Sequence, residues 1–204
     1  LGETLVMQTL RRYPDDFERM LAGIDDSRAE QIPRVLLRIA QREGPAAQAS
    51  LRWLSRLLGH DLMAYAPAVA TAVLAGSPEP TAVQWAATLV EALERGADAE
   101  AGRRVLERIP EHTTALIGAG AWASEAVGRW LPPVDDHRWE AMRADICELA
   151  AGFAQADGRP QRALLWSRQA TRVLRELADR DLAYSAGLAC SLRNLSVMWM
   201  QVGE

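Results

Sequence analysis

The run Leu116-Ile117-Gly118-Ala119-Gly120-Ala121-Trp122-Ala123 has the glycine spacing of a dinucleotide-binding turn, and Asp135 follows near the distance at which an acid would meet a ribose. That chemistry needs a strand before the turn and a second strand after its helix. Thr113 to Ile117 is too short for the first, the residues before it read as helix, and Pro132-Pro133 stand where the second should begin. The run is therefore expected to be a helix whose small residues let a neighbouring helix come close. Asp136, His137 and Glu140 gather at a helix start, but the chain has no two-His spacing for a metal, and acids there already complement the helix dipole. His60–Asp61 and Glu111–His112 fall at loop-to-helix junctions, where capping accounts for them. Arg34, Arg38 and Arg42 recur every four residues, and Arg103, Arg104 and Arg108 form a second basic group. Interspersed Glu30, Glu43, Glu100 and Glu107 make both groups read as solvated helix faces. Cys147 and Cys190 stand 43 residues apart with no paired spacing, and both are expected to be buried thiols. No catalytic, cofactor or metal site is complete in the sequence, and the expectation is a protein that is not an enzyme.

Composition narrows the classes further. All 23 positive charges are Arg, so no P-loop lysine, Schiff base or lysine general base is available. A net charge of −4 gives no electrostatic pull toward nucleic acid or an anionic membrane. The first twenty residues carry Glu3, Arg11, Arg12, Asp15 and Asp16, unlike a signal peptide, and no apolar run approaches the ~20 residues that cross a bilayer. A cytoplasmic location is the expectation. Because the chain opens on Leu1 and ends directly after a helical pattern, it reads as a piece of a longer protein.

The elements that would position any site are helices. There are 36 Ala and 26 Leu against 12 Val and 6 Ile, a ratio that favours helix over sheet. Punctuation by Gly, Pro or a capping residue divides the chain into about eleven helical segments. Two are expected before residue 24. Later ones are capped by Asp61, Asp98 and Thr113, and Pro67 is expected to interrupt the segment after Asp61. The longest pattern, with Trp139, Met142, Ile146, Leu149 and Phe153 as its stripe, stops at Gly158. Pro160 opens a partner carrying Ala163, Ser167, Ala170, Leu174 and Leu177, and a last helix places Leu188, Leu192, Leu195 and Trp199 inward. Pro132-Pro133 is the strongest breaker and sets the expected boundary between a helical array, 1–133, and a C-terminal segment, 134–204.

That C-terminal segment contains an internal match. Gly158 falls over Gly203 at a shift of 45 residues, each closing a helix rich in apolar and small residues, and Arg159-Pro160-Gln161-Arg162-Ala163-Leu164 opens the helix between them. With Ala163 and Ala170 seven apart, residues 145–204 resemble one and a half tetratricopeptide repeats, in a long-helix variant like that of kinesin light chains. Cys147, Ala150 and Ala154 depart from that pattern, where larger residues are usual. More broadly, "RYPDDFERMLAGIDDSRA", "RIPEHTTAL" and "SLRNLS" in an Arg- and Ala-rich chain resemble the helical linker and sensor region of actinobacterial STAND-type signalling NTPases. These resemblances imply an all-α, right-handed α-solenoid of antiparallel hairpins, tetratricopeptide-repeat-like at its C-terminal end, serving as an interaction or sensor arm of a signalling protein.

On that reading the first helix of each repeat lines a concave face, where Asp145, Glu148, Arg193 and Asn194 are the polar residues expected to hold a protein or peptide. Self-association through the C-terminal end is a further expectation. The competing class is a small all-helical enzyme or ligand-binding protein, which would carry a cavity between helices ringed by converging polar groups.

Overall fold

A computed structural model describes residues 30–41, 45–75, 79–96, 98–110, 113–130 and 137–203. The protein is all-α: among the described residues there are nine α-helices, one 3-10 turn and no strand. They are α1 (Gln31–Ala40), α2 (Pro45–His60), α3 (Leu62–Leu74), α4 (Glu79–Gly96), α5 (Ala99–Leu106), α6 (Ile117–Trp130), α7 (His137–Ala156), α8 (Pro160–Arg180) and α9 (Ser185–Val202), with the 3-10 turn at Leu182–Tyr184. The two helices expected before residue 24, the Pro132-Pro133 break and its 1–133/134–204 boundary, Asp135, Asp136, Arg42, Glu43 and Glu111–His112 lie outside the described residues, as does the side chain of His137.

Local signals set most of the helix ends. Asp61 starts α3 by accepting a hydrogen bond from Ala64 N at 3.0 Å, and Asp98 starts α5 by the same bond to Ala101 N at 3.0 Å. Thr113 does this loosely, with Leu116 N 3.4 Å from its Oγ1, and α6 begins only at Ile117. Pro67 does not interrupt α3 as the sequence suggests, for the helix runs through it. A proline near the first turn removes a single intrahelical bond, and the buried faces on either side hold the segment helical. The turn between α7 and α8 is fixed by Gly158, whose φ of +71° only glycine adopts without strain. There Arg159 N reaches back to Ala154 O and Gly158 N to Gln155 O, the paired bonds of a Schellman ending, and Pro160 occupies the first turn of α8. Gly203 repeats the left-handed ending after α9, with φ +78°.

The main packing pairs join helices that are one or two apart in chain order: α1 with α2 and α3, α2 with α3 and α4, α3 with α4 and α5, α4 and α5 with α6. From there the chain adds single layers, α6 on α7, α7 on α8 and α8 on α9. Helices α1 to α6 share one continuous core containing Leu54, Leu57, Val69, Trp85, Leu89, Val105 and Leu116. Burying a side chain of this size contributes about 1.5–3 kcal/mol. Phe153 of α7 belongs to that same core and ties the two parts together.

Helices α7 and α8 run antiparallel. Ala154 packs against Ala163 and Leu164, Cys147, Ala150 and Ala151 against Trp166 and Ala170, and Ala144 against Val173, Leu174 and Leu177. Small residues on α7 allow the close approach, and Ala163 and Ala170 are both fully buried. Several expected stripes turn out differently. Trp139 and Met142 are 40% exposed, because the alanine side of α7 is the packed one. Leu192 and Trp199 are also exposed, since the face of α9 that meets α8 runs through Leu188, Ser191, Leu195, Met198 and Val202. Cys190 lies off that face and is exposed, contrary to the expectation of burial, whereas Cys147 is buried.

Candidate functional site

The polar residues of the C-terminal segment converge where α7 and α9 run side by side. Ser191, on the packed face of α9, is 1% exposed and stands 2.8 Å from Thr171 Oγ1 of α8. Ser191 Oγ donates to Glu148 Oε1 across to α7, and Asn194 Nδ2 donates to Glu148 Oε2 at 3.1 Å. Two turns further on, Gln155 Nε2 donates to Gln201 Oε1 at 3.0 Å. The bridged positions are 43 to 46 residues apart, so α9 lies parallel to α7 at nearly the shift that superposes Gly158 on Gly203. Three helices are thereby held by a chain of hydroxyls ending on one carboxylate.

Beside this tie lies an open cleft of about 840 Å³. Its floor is α7, presenting Leu149, Gly152 and Phe153, and its edges are Thr113, Thr114 and Ile117 on one side and Asn194 on the other. Asp145 and Glu148 line it, and no arginine is among its described lining residues. Partial withdrawal from water and the neighbouring Glu148 carboxylate push the Asp145 carboxyl above its usual range. The structure thus brings together three of the four expected groove residues, Asp145, Glu148 and Asn194. Arg193 is not with them: it is exposed on α9 and does not line the cleft. Of the three, only Asp145 is wholly available to a partner, because Glu148 and Asn194 also hold each other.

The other sequence candidates resolve into structural roles. Ile117 to Trp130 is a helix, and Gly120 is where the Phe153 ring comes against the backbone of α6. Arg103 and Arg104 pair with Glu100, Arg103 also with Glu107, and Arg34 and Arg108 with Glu30, all at the surface. Hydrogen bonds from Arg103 and Arg104 hold the Glu100 carboxyl down at about 2. Glu140 accepts from Arg180 at 3.0 Å, closing the far end of the α7–α8 hairpin. Burial pushes the Cys147 thiol up to about 11, which removes it as a nucleophile. Among the described residues no group of three His, Cys, Asp or Glu is placed to hold a metal ion, and no helix is long and apolar enough to cross a membrane.

Sequence reasoning passed over a second cleft, of about 1000 Å³, between α4, the start of α5, α6 and the α7–α8 turn. Among its lining residues is Glu125, which is 5% exposed although charged. Glu125 Oε2 accepts from Arg129 at 3.1 Å and from Arg162 of α8. The signal in the sequence is an acid, Glu125, amid the small residues of α6.

The fold and clefts define an all-α protein with two open polar clefts, one acidic and one of mixed charge. Compared with protein-family profiles, curated proteins and solved structures, the chain has no match.

Proposed function

We propose that this chain is a non-catalytic interaction module built as an α-solenoid, with α7, α8 and α9 forming a tetratricopeptide-repeat-like unit that takes a protein or peptide segment in the α7–α9 cleft. The observation that carries the reading is the cleft itself. Parallel α7 and α9 present Asp145, Glu148 and Asn194 beside the apolar Leu149 and Phe153, with acidic and no basic lining among the described residues. Such a surface suits an extended segment bearing a basic side chain and backbone donors for the carboxylates. Packing between helices one or two apart in chain order supports the solenoid, because stacked hairpins bury their faces only on neighbours. A sensor arm in a larger cytoplasmic signalling protein of the STAND type is the biological setting this architecture suits. Self-association belongs to the same reading, through the outward side of α9 where Leu192, Val197 and Met200 are exposed; sedimentation over a range of concentrations tests it.

The test of the cleft is selection from a displayed random-peptide library, followed by titration of the selected peptides. Selected sequences should be enriched in Arg or Lys, and Asp145→Arg should abolish their binding while leaving the melting curve in place. Peptides without basic residues, or peptides indifferent to Asp145→Arg, would remove the assignment.

A further inference from the structure

The cleft around Glu125 has walls of opposite charge. On one side α4 contributes Glu91 and Glu94 and the start of α5 contributes Asp98. Asp98 is used as a helix cap, but the carboxylates of Glu91 and Glu94 have no partner among the described residues. Across from them stand Arg129 at the end of α6, and Arg159 and Arg162 at the start of α8. Three guanidinium groups are held by two carboxylates, Glu125 taking Arg129 and Arg162, and Asp157 taking Arg159 at 2.7 Å. The basic wall therefore keeps a positive excess and unused N–H donors.

Two buried polar atoms make this more than a charged surface. Glu125 Oε1 is out of contact with bulk water and has no hydrogen-bond partner, although its side chain is more than nine-tenths buried. In the same basic wall the Nε atom of Arg159 is likewise shielded and unpartnered, although the rest of that side chain is partly exposed and its Nη2 holds Asp157. An unpaired charged acceptor and an unpaired charged donor are both costly, and the residues that carry them line the same cleft. What satisfies both is a molecule that brings a donor and an acceptor together. Trp122 and Trp130 complete the lining, the latter 69% exposed, and give an apolar body or a cation a ring face to rest on.

We propose that this cleft binds a small zwitterion, a free amino acid or short peptide, with its ammonium group toward Glu125, Glu91 and Glu94 and its carboxylate toward Arg159, Arg129 and Arg162. The site is separate from the α7–α9 cleft and does not depend on peptide recognition there. A lone anion would leave Glu125 Oε1 unpaired, and a lone cation would leave Arg159 Nε unpaired. The complementary walls favour the molecule that carries both charges.

Calorimetric titration of the 204-residue chain with the standard free amino acids and with unmodified tripeptides tests this. Matched half-ligands, a primary amine without the carboxylate and a carboxylate without the amine, are run beside them. The expected result is saturable one-to-one binding of at least one zwitterion, with each half-ligand weaker by about tenfold or more. Free amino acid against tripeptide identifies which source fits. Glu91→Gln with Glu94→Gln, both solvated and outside the core, should weaken binding by about tenfold while the melting curve stays unchanged. Glu125→Gln should weaken it further, and Asp145→Arg should leave it intact. Absence of any binding zwitterion at millimolar concentration overturns the proposal. So does equal binding by a half-ligand, or binding unaffected by the Glu91/Glu94 pair.

Discussion

The ring of Phe153 lies directly over the backbone of Gly120, where an added Cβ would stand 2.6 Å from Phe153 Cε1. Phe153 is 3% exposed, so the ring has little room to withdraw. This contact seats α7 on the core of α1 to α6. Gly120→Ala should therefore destabilise the protein by about 1–3 kcal/mol through overpacking, even though alanine is the better helix former. Gly152, adjacent to Phe153 but with nothing within 4 Å of an added Cβ, is the control. Gly152→Ala should stabilise by about 0.5–1 kcal/mol. Paired urea melts give both values, and a silent Gly120→Ala would mean that the ring is not seated there.

The Ser191–Glu148 bond gives a second prediction. The one Thr171 hydroxyl proton has two acceptors in reach, Ser167 O at 2.9 Å and Ser191 Oγ at 2.8 Å; turned to Ser191, while Ser191 donates to Glu148, it makes the two hydroxyls a directed relay between three helices. Ser191→Ala breaks it and leaves a half-buried carboxylate oxygen short of a donor, at a cost of about 1 kcal/mol. Asn194→Ala, at the cleft edge where water can replace the amide, should cost less. A double-mutant cycle of Ser191→Ala with Glu148→Gln should show coupling above about 0.5 kcal/mol. Strict additivity would dismiss the relay.

How much of this was legible in the sequence depended on which physical signal each residue carried. Asp61, Asp98 and Gly158 act locally, through a cap or a left-handed backbone, and were readable one at a time. The stripes were harder. In α7 the large residues Trp139 and Met142 form the more conspicuous helical pattern, yet the helix packs on Ala144, Cys147, Ala150, Ala151 and Ala154. Close packing favours small residues facing Trp166 and Leu174, so hydrophobic size points to the wrong side at Trp139 and Met142, while Leu149 and Phe153 of the same stripe do pack on the core of α1 to α6. Trp85 is fully buried for the complementary reason, since a core formed by six helices has room for side chains as large as an indole. That Asp145, Glu148 and Asn194 lie together was legible because the 45-residue match sets the helices that carry them in equivalent positions. Glu125 was not, because its local mark is only an acid amid small residues, and the approach of Arg162 from 37 residues away that makes it a site is encoded by no local pattern.

The two cysteines differ in a way that thiol chemistry reads directly. Burial holds the Cys147 thiol at about 11, while Cys190 is exposed on α9. A maleimide reagent at neutral pH should modify one thiol per folded chain and a second only as the chain unfolds. Mass mapping should place the fast adduct on Cys190. Rapid labelling of Cys147 in the native protein would show that α7 and α8 open far more often than their packed alanines imply.

Asp145 supplies a prediction with a definite sign in pH. Its carboxyl is raised above the ordinary range by desolvation and by Glu148. The folded chain therefore keeps that proton to a higher pH than the unfolded chain does. Between the two values the folded state binds more protons, so stability falls as pH rises through the window. Above it the full cost of an ionised Asp145 beside Glu148 is present, and below the ordinary carboxylate value it is absent. Asp145→Asn removes the charge at every pH. The variant should be the more stable of the pair at neutral pH, by about 0.5 kcal/mol or less because the side chain is largely solvated. That advantage should shrink to nothing as the pH drops below the ordinary aspartate range. Melting temperatures of the two proteins, taken at steps from neutral to acid, give the difference directly. If Asp145→Asn is the less stable protein at neutral pH, Asp145 is being held by a cation, and the carboxylate in the cleft is already spent within the chain.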